Sequence, residues 1–465
     1  MSDPGIILSK TNSVEKERMV VTVHDAGRDL IKVTQNCVRD LKAKMPDPDL
    51  IMFFPSNYLV NKGLYKKSLN KIREFFPRSQ MCGGLFCGTF SQAGHSLRGA
   101  TLVGFKGVNA KIIRISRPRV RSKAKGKKAA RKIKTMIKEG NNSAVIAISP
   151  GPYFPSIFVN QLKSPKKFHA FKMMNSSLIR KIPFLDKLTG KIMGTAMDLL
   201  NWGFPLNPVS KLLGELYKQD IPFVGALTAD PITYGSAPVF INFKVSSKDA
   251  FLLLLQSDTL AFGISAGTAI TYKRENPLNI EKFISGGFIT QINKKWGKHA
   301  FLDKLEIEQD QYYKATRSTF YFDIYHPIII EDPVCEYNPL IALGANPNMS
   351  ASLHTALDTT IKRIIKKKAK AYVGYQSAAN ITEGIKKTLE QAKNEIGIEK
   401  IEFGMLFECT NRMMVLGDQF RKLVEKDNEF FGDAPYIGLG AGGELICRSV
   451  PTTVESVVSL IVGRQ

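Results

Sequence analysis

The sequence predicts a mixed α/β fold, α+β-like in character, with two packed pseudo-homologous domains, each a mixed, largely antiparallel sheet with helices. Three observations carry this expectation. Residues 50–88 and 403–443 each run apolar strand, helix, proline and glycine-punctuated strand, with Pro77, Gly83 and Gly88 in the first and Pro435, Gly438 and Gly443 in the second. The matching glycine spacing points to an internal duplication. Between the two modules, residues 237–268 alternate apolar and polar in short runs, as antiparallel strands do. No low-complexity linker separates the halves, which are therefore expected to pack together.

Along the chain, residues 1–17 are polar and read as a flexible N-terminus. Residues 19–23 alternate as a short strand, and 24–41 carry helical apolar spacing. Residues 50–55, LIMFFP, are a buried-strand run. Helical spacing returns over 60–76, through Leu64, Leu69 and Ile72, and Pro77 stops it. Residues 80–90 form a glycine-punctuated strand. A basic helix at 123–138 leads into a strand at 144–149. Residues 152–210 read as a helical insertion mixing Phe, Met and Lys, with amphipathic patches at 168–179 and 188–202. A helix ends near Gln219, and strands follow at 237–245, 251–255 and 260–268. The first domain is placed at 18–320 and the second at 321–465. In the second, 322–330, 340–343 and 371–375 read as strands. Residues 353–366 read as a helix or as a strand pair. Residues 381–396 form a helix with Ile385, Leu389, Ala392 and Ile396 on one stripe. Residues 403–407 then read as a strand, 416–430 as a helix and 444–448 as a strand.

Composition bounds the function. Hydrophobic residues make up 44% of the 465 and charged residues 23%, enough for two or three folded domains. The start, MSDPGIILSK, lacks the apolar run of a signal peptide. The longest apolar runs, 250–255 and 457–462, fall far short of the roughly 18 residues that span a bilayer. Cysteines at 37, 82, 87, 335, 409 and 447 show no paired framework, which implies reduced thiols and a cytoplasmic protein. Cys82, Cys87 and His95 lack a second close pair, so no metal is expected.

The net charge is +25, with a pI near 9.7. Its excess gathers in residues 111–138, which hold no acid. Arg117, Arg119, Arg121, Lys123, Lys125, Lys127, Lys128, Arg131 and Lys132 lie in this block. Such a block is a solvated helix face or a binding surface for nucleic acid or anionic lipid. The adjacent amphipathic insertion favours lipid, which would place the protein peripherally at a membrane.

Catalytic motifs are wanting. Gly438, Gly440 and Gly443 form a G-x-G-x-x-G, but residues 444–448 continue as a strand where a dinucleotide fingerprint needs a helix. No phosphate-binding P-loop occurs, so no cofactor is expected. None of the histidines stands in H-E-x-x-H or beside a G-x-S-x-G elbow. Cys409, near Arg412, has the form of an activated thiol, yet no histidine partner can be named. No catalytic residue is assigned.

Two stretches carry a family resemblance. Glu408-Cys409-Thr410-Asn411-Arg412 at a strand end, the Leu416-Gly417 step, and Gly443-Glu444-Leu445 together resemble the FIST C domain. Residues 221–230, IPFVGALTAD, followed by a strand ending at Gly267, resemble FIST N. Gly83 and Gly88 fit the FIST N glycine-rich strand, although Thr89 replaces its acidic residue. The resemblance spans about residues 48–448. It implies a non-enzymatic sensory protein of signal transduction. Such a protein binds a small ligand such as an amino acid, or a protein partner, and passes its signal to a separate signalling protein. Relatives that act as ubiquitin-ligase adaptors carry an F-box, for which residues 1–47 are too short and too polar.

The ligand-binding residues expected on this reading are Arg412, Glu444, Cys409, Gly438, Gly443, Gly225 and Asp230. Arg412 is either a forked donor for a carboxylate or phosphate, or the ion-pair partner of Glu408 or Glu444. Glu444 would meet an amine. The glycines would allow close backbone approach. Asp230 is a ligand contact or a turn residue before Pro231. The alternative functions are a basic scaffold on anionic membrane or nucleic acid and, behind it, an unrecognised hydrolase.

Overall fold

The computed structural model describes residues 19–56, 62–151, 206–229, 237–284, 288–296, 303–306, 325–331, 340–342, 351–352, 370–447, 452–453 and 456–464. Three similar units follow one another along the chain. The first runs β1 (Val20–Ala26), α1 (Leu30–Lys44), β2 (Leu50–Pro55), α2 (Lys62–Phe75), β3 (Gln80–Gly84), the hairpin β4 (Thr89–Ser91) and β5 (Gly94–Ser96), and β6 (Gly99–Phe105). The second runs β7 (Asn109–Ser116), α3 (Ser122–Lys134), β8 (Asn142–Ser149), α4 (Leu206–Tyr217), β9 (Phe223–Leu227), the hairpin β10 (Val239–Ile241) and β11 (Lys244–Ser246), and β12 (Asp249–Ser257).

The third unit opens with β13 (Ala261–Thr268). An inserted sheet follows: β14 (Thr271–Tyr272), β15 (Leu278–Ile284), β16 (Phe288–Ile292), β17 (Lys295–Trp296), β18 (Ile328–Ile330), β19 (Leu340–Ala342), β20 (Ala351–Ser352) and β21 (Lys370–Tyr375). The unit resumes with α5 (Ala378–Glu395), β22 (Lys400–Cys409), α6 (Thr410–Leu416), α7 (Phe420–Phe431) and β23 (Tyr436–Ala441). It ends with β24 (Glu444–Ile446), β25 (Thr452–Thr453) and β26 (Ser456–Arg464).

The three main sheets share one plan. Their orders are β1-β6-β2-β3-β10-β11, β7-β12-β8-β9-β24-β25 and β13-β26-β22-β23-β4-β5. In each, only the two middle strands are parallel: β2 with β3, β8 with β9, and β22 with β23. The last two strands of every sheet are a hairpin lent by another unit. The second unit lends to the first, the third to the second and the first to the third, so the exchange closes on itself.

Alternation along the strands sorts side chains between two faces. The inner faces of the three sheets meet in one apolar core, with Met52 and Phe54 from the first, Ile148 and Leu253 from the second, and Met405 and Phe407 from the third. Each outer face is covered by its own helices: α1 and α2, α3 and α4, and α5 with α7. The units touch where the carboxyl ends of the parallel strands cross over. There Cys87 N–H donates to the Gly440 carbonyl at 3.0 Å, Ala229 N–H to Leu85 at 3.1 Å and Leu227 N–H to Gly443 at 2.8 Å.

Glycines stand where the lent hairpins pair. Register sets Gly83 opposite Phe240, Gly225 opposite Leu445 and Gly438 opposite Phe90. In each case a large side chain of the lent hairpin faces a position without one. At Gly438 an added methyl would stand 1.9 Å from the Phe90 ring.

The expected mixed, largely antiparallel α/β class is what the chain adopts, and both expected modules are present. A third, β8 to β9, was hidden in the sequence by residues 152–205, which lie outside the described residues together with 353–366 and the 320/321 boundary. Several boundaries differ from the sequence reading. The first strand runs on to Ala26, because the helix start is fixed at Asp29, whose carboxylate accepts from Ile31 N–H at 2.9 Å. Residues 80–90 divide between β3 and β4, which belong to different sheets. Residues 237–245 fold back as the β10–β11 hairpin, with Asn242 and Phe243 at φ 45° and 63° in its two-residue turn. The helix expected at 416–430 starts earlier, at Thr410, and breaks at Gly417, where φ is 48°.

Candidate functional site

The third unit gathers buried charge at the carboxyl end of its parallel strands. From Phe403 on, strand β22 is apolar on both faces until Glu408, whose side chain shares the helix-covered face with Leu406. The chain then turns directly into α6, which sets Arg412 one helical turn on. Glu408 and Arg412 are both fully buried, and Arg412 Nε lies 2.9 Å from Glu408 Oε1. Arg412 Nη1 donates to the Gly267 carbonyl at 3.4 Å and Nη2 to the Ile381 carbonyl at 3.3 Å. The guanidinium thus ties β22 to the end of β13 and the first turn of α5. Of the two readings left open for Arg412, the structure places it in the ion pair with Glu408.

Asp427 enters the same interior from α7 and is 2% exposed. Burial, with the Glu408 carboxylate adding to it, pushes its carboxyl well above the usual carboxylate range. Next to it, the Tyr436 hydroxyl donates to Asn428 Oδ1 at 2.8 Å. Burial first and Asp427 second push that phenol up. Sequence reading missed Asp427. Its signal was a lone acid in the apolar stripe Leu423, Val424, Asp427, Phe431.

Glu444 lies on the opposite face. Its register partner is Ala226 of the central core, so it points inward, fully buried, and Ser456 Oγ donates to its Oε2 at 2.9 Å. Cys409 is also buried and lies opposite Ala441, while Thr410 Oγ1 donates to the Ala441 carbonyl at 2.7 Å. Gly443 begins the crossover into β24 with φ 147°. The space beside Gly438 is filled by Phe90, and a methyl at Gly225 would stand 1.8 Å from the Ala147 carbonyl oxygen. Asp230 lies outside the described residues.

The three units allow position-by-position comparison. By strand register, Glu408 corresponds to Pro55 and Ser149, and Glu444 to Thr89 and Val239. Charge stands at these positions in the third unit alone.

Cys82, Cys87 and His95 do not share one environment: Cys82 points into the central core, whereas His95 meets Phe420 edge-on with centroids 6.2 Å apart. Burial pushes the Cys82 thiol up, away from thiolate chemistry.

The basic segment divides. Arg119 Nη2 donates to the Gly151 carbonyl at 2.8 Å, and Lys125 Nζ donates to the Ser116 and Arg117 carbonyls at 2.6 and 2.8 Å. These two have structural partners. Arg117 and Arg121 hold left-handed turns at φ 45° and 52°. They and Lys123, Lys127, Lys128, Arg131 and Lys132 face solvent. Among the described residues, no helix is long and apolar enough to cross a membrane.

No curated protein matches the chain. A family model, the FIST N domain, matches residues 49–295, from β2 through β17, and does not extend over the FIST C resemblance. FIST is a family of sensory domains, generally non-enzymatic and consistent with a role in signal transduction. With more than half of its residues inside that match, the chain belongs to the FIST family.

Proposed function

We propose that this chain is a non-enzymatic, cytoplasmic sensory protein that binds a small metabolite at the carboxyl end of the third unit. In this reading residues 321–465 are its FIST C portion. Glu444 meets a cationic group such as the amine of an amino acid. Cys409 and Gly443 flank it, and Asp230 is a further candidate contact. Arg412 and Glu408 act one layer behind, holding α5, α6 and β13 in place. The signal leaves through a separate partner protein.

One observation carries this reading: among the equivalent strand-end positions of three units of the same plan, fully buried charge stands only at Glu408 and Glu444 of the third. Burying charge is unfavourable unless paired, and a fold that needed it for stability alone would use it in each unit. The test is a thermal-shift and calorimetric screen of amino acids and related amines against the full chain and Glu444→Gln. A stabilising ligand that loses affinity in Glu444→Gln, with the variant still folded, supports the reading. A ligand bound equally by both moves the site elsewhere, and a panel without any hit removes the small-molecule reading in favour of a protein partner.

A further inference from the structure

Helix α3 lacks the acids that offset basic residues on α2, α5 and α7. Helix α5 offsets its lysines one turn apart, with Lys386 against Glu390 and Lys387 against Glu383. Helix α7 sets Arg421 against Glu425, and α2 sets Lys71 against Glu74. Helix α3 contains no acid at all. Its buried side, Ser122, Gly126, Ala129, Ala130 and Ile133, packs on α4, so closely that a methyl at Gly126 would stand 2.3 Å from the Leu212 carbonyl oxygen. The opposite side exposes Lys123, Lys127, Lys128, Arg131, Lys132 and Lys134 over 13 residues, roughly 20 Å of helix. Among the described residues none of these six stands in an ion pair.

That pattern acts against the helix itself. Lys123 and Lys127, Lys127 and Arg131, and Lys128 and Lys132 are like charges one turn apart, each pair destabilising. Lys123 also sits in the first turn, where the helix dipole disfavours a cation. A solvated face in a lysine-rich protein would be expected to carry the offsetting acids that α5 and α7 carry. Uncompensated repulsion is relieved when an anionic surface neutralises it.

The surroundings identify that surface. Val120, just before the helix, is 52% exposed, and Tyr217, at the end of the neighbouring α4, is 42% exposed. Val120 adjoins the basic face in the chain, Tyr217 lies on the helix packed against α3, and no aromatic residue is interleaved with the cations as a base-stacking platform requires. We propose that the exposed face of α3 docks this protein on anionic phospholipid headgroups. Lys123, Lys127, Lys128, Arg131, Lys132 and Lys134 supply the attraction, and Val120 meets the interfacial region. The proposal is independent of the Glu444 site.

The test uses the full chain and vesicles of phosphatidylcholine alone or mixed with phosphatidylserine, by flotation at low and physiological salt. Duplex DNA–cellulose is run in parallel. Binding is expected only to the mixed vesicles and falls with salt. Each basic residue at such a surface contributes roughly fivefold in partitioning. The quadruple variant Lys123→Gln, Lys127→Gln, Arg131→Gln, Lys132→Gln should therefore lose on the order of a hundredfold or more. Its melting temperature should be equal or higher, because repulsion has been removed, and that separates lost docking from lost folding. If the quadruple variant partitions like the wild type, α3 is not the docking face. Equal binding to both vesicle types, no binding to either, or retention on DNA at salt that releases the vesicles would overturn the proposal.

Discussion

Replacing Gly438 with alanine tests whether hairpin exchange holds the three units together. The new methyl would lie 1.9 Å from Phe90 Cζ and 2.1 Å from Cε2. Comfortable carbon contacts begin near ~3.5 Å, so the ring must retreat by roughly 1.5 Å. It has nowhere to go. Phe90 is 1% exposed, with Phe420 edge-on at a centroid separation of 5.2 Å and Tyr436 at 6.5 Å. Overpacking a filled core costs about 1–3 kcal/mol, and this geometry belongs at the upper end. The hairpin is joined to β23 by only two register pairs, Gly438 with Phe90 and Leu439 with Thr89, so little else can absorb the shift. Phe90→Ala alone should cost about 3–5 kcal/mol. Equilibrium unfolding in denaturant of the two single variants and the double variant gives the coupling. We expect the double variant to be no less stable than Phe90→Ala, with a coupling of about 1–3 kcal/mol. If Gly438→Ala leaves the midpoint unchanged, or the two losses simply add, then Gly438 is not there to admit Phe90.

Gly225→Ala meets the Ala147 backbone oxygen at 1.8 Å, so no side-chain substitution at Leu445 should rescue its solubility or melting temperature. Arg412→Met strands the buried Glu408 and should cost about 3–5 kcal/mol in denaturant titrations, whereas the pair Glu408→Gln, Arg412→Met should cost less. The Asp427 carboxyl is raised in the folded state, so its contribution is full below the unfolded value of 3.8 and is lost as pH rises through the folded value. Asp427→Asn should therefore raise the melting temperature at neutral pH and leave it nearly unchanged in acid. Burial brings His24 down to about 4, with Asp25 opposing and His95 adding. The unfolded chain thus takes up a proton near 6.5 that the folded chain refuses. Stability should fall by at most about 3 kcal/mol as pH drops from 6.5 toward 4, and His24→Gln should flatten that slope in urea titrations.

The modules at 50–88 and 403–443 were legible because their glycines are spaced alike and their strands are apolar throughout. The third module was not. Its strands β8 and β9 are separated by residues 150–222, which hide the repeat, and Gly225 stands there without a second glycine at the same spacing. Which unit lends a hairpin to which is a long-range choice, and local propensity does not encode it. Glu408, Cys409, Arg412 and Glu444 could be singled out as residues at strand ends. That Glu408 and Glu444 face opposite sides of two different sheets could not, since one lies on β22 and the other on a hairpin given away. The glycines looked like room for a ligand, and at Gly438 the room holds Phe90.

The exchanged hairpins also bear on how the chain is made. During synthesis β4 and β5 emerge early, but their partner β23 is translated some 340 residues later. At about 5–20 residues per second that is tens of seconds. Strand β9 likewise waits some 217 residues, from Leu227 to Glu444, with an open edge, the kind of surface that pairs with other chains. The nascent protein therefore depends on protection by chaperones or on a slow, late closure. A fragment expressed as residues 49–295 would keep β4 and β9 while lacking β23 and β24, the strands that pair with them from the third unit.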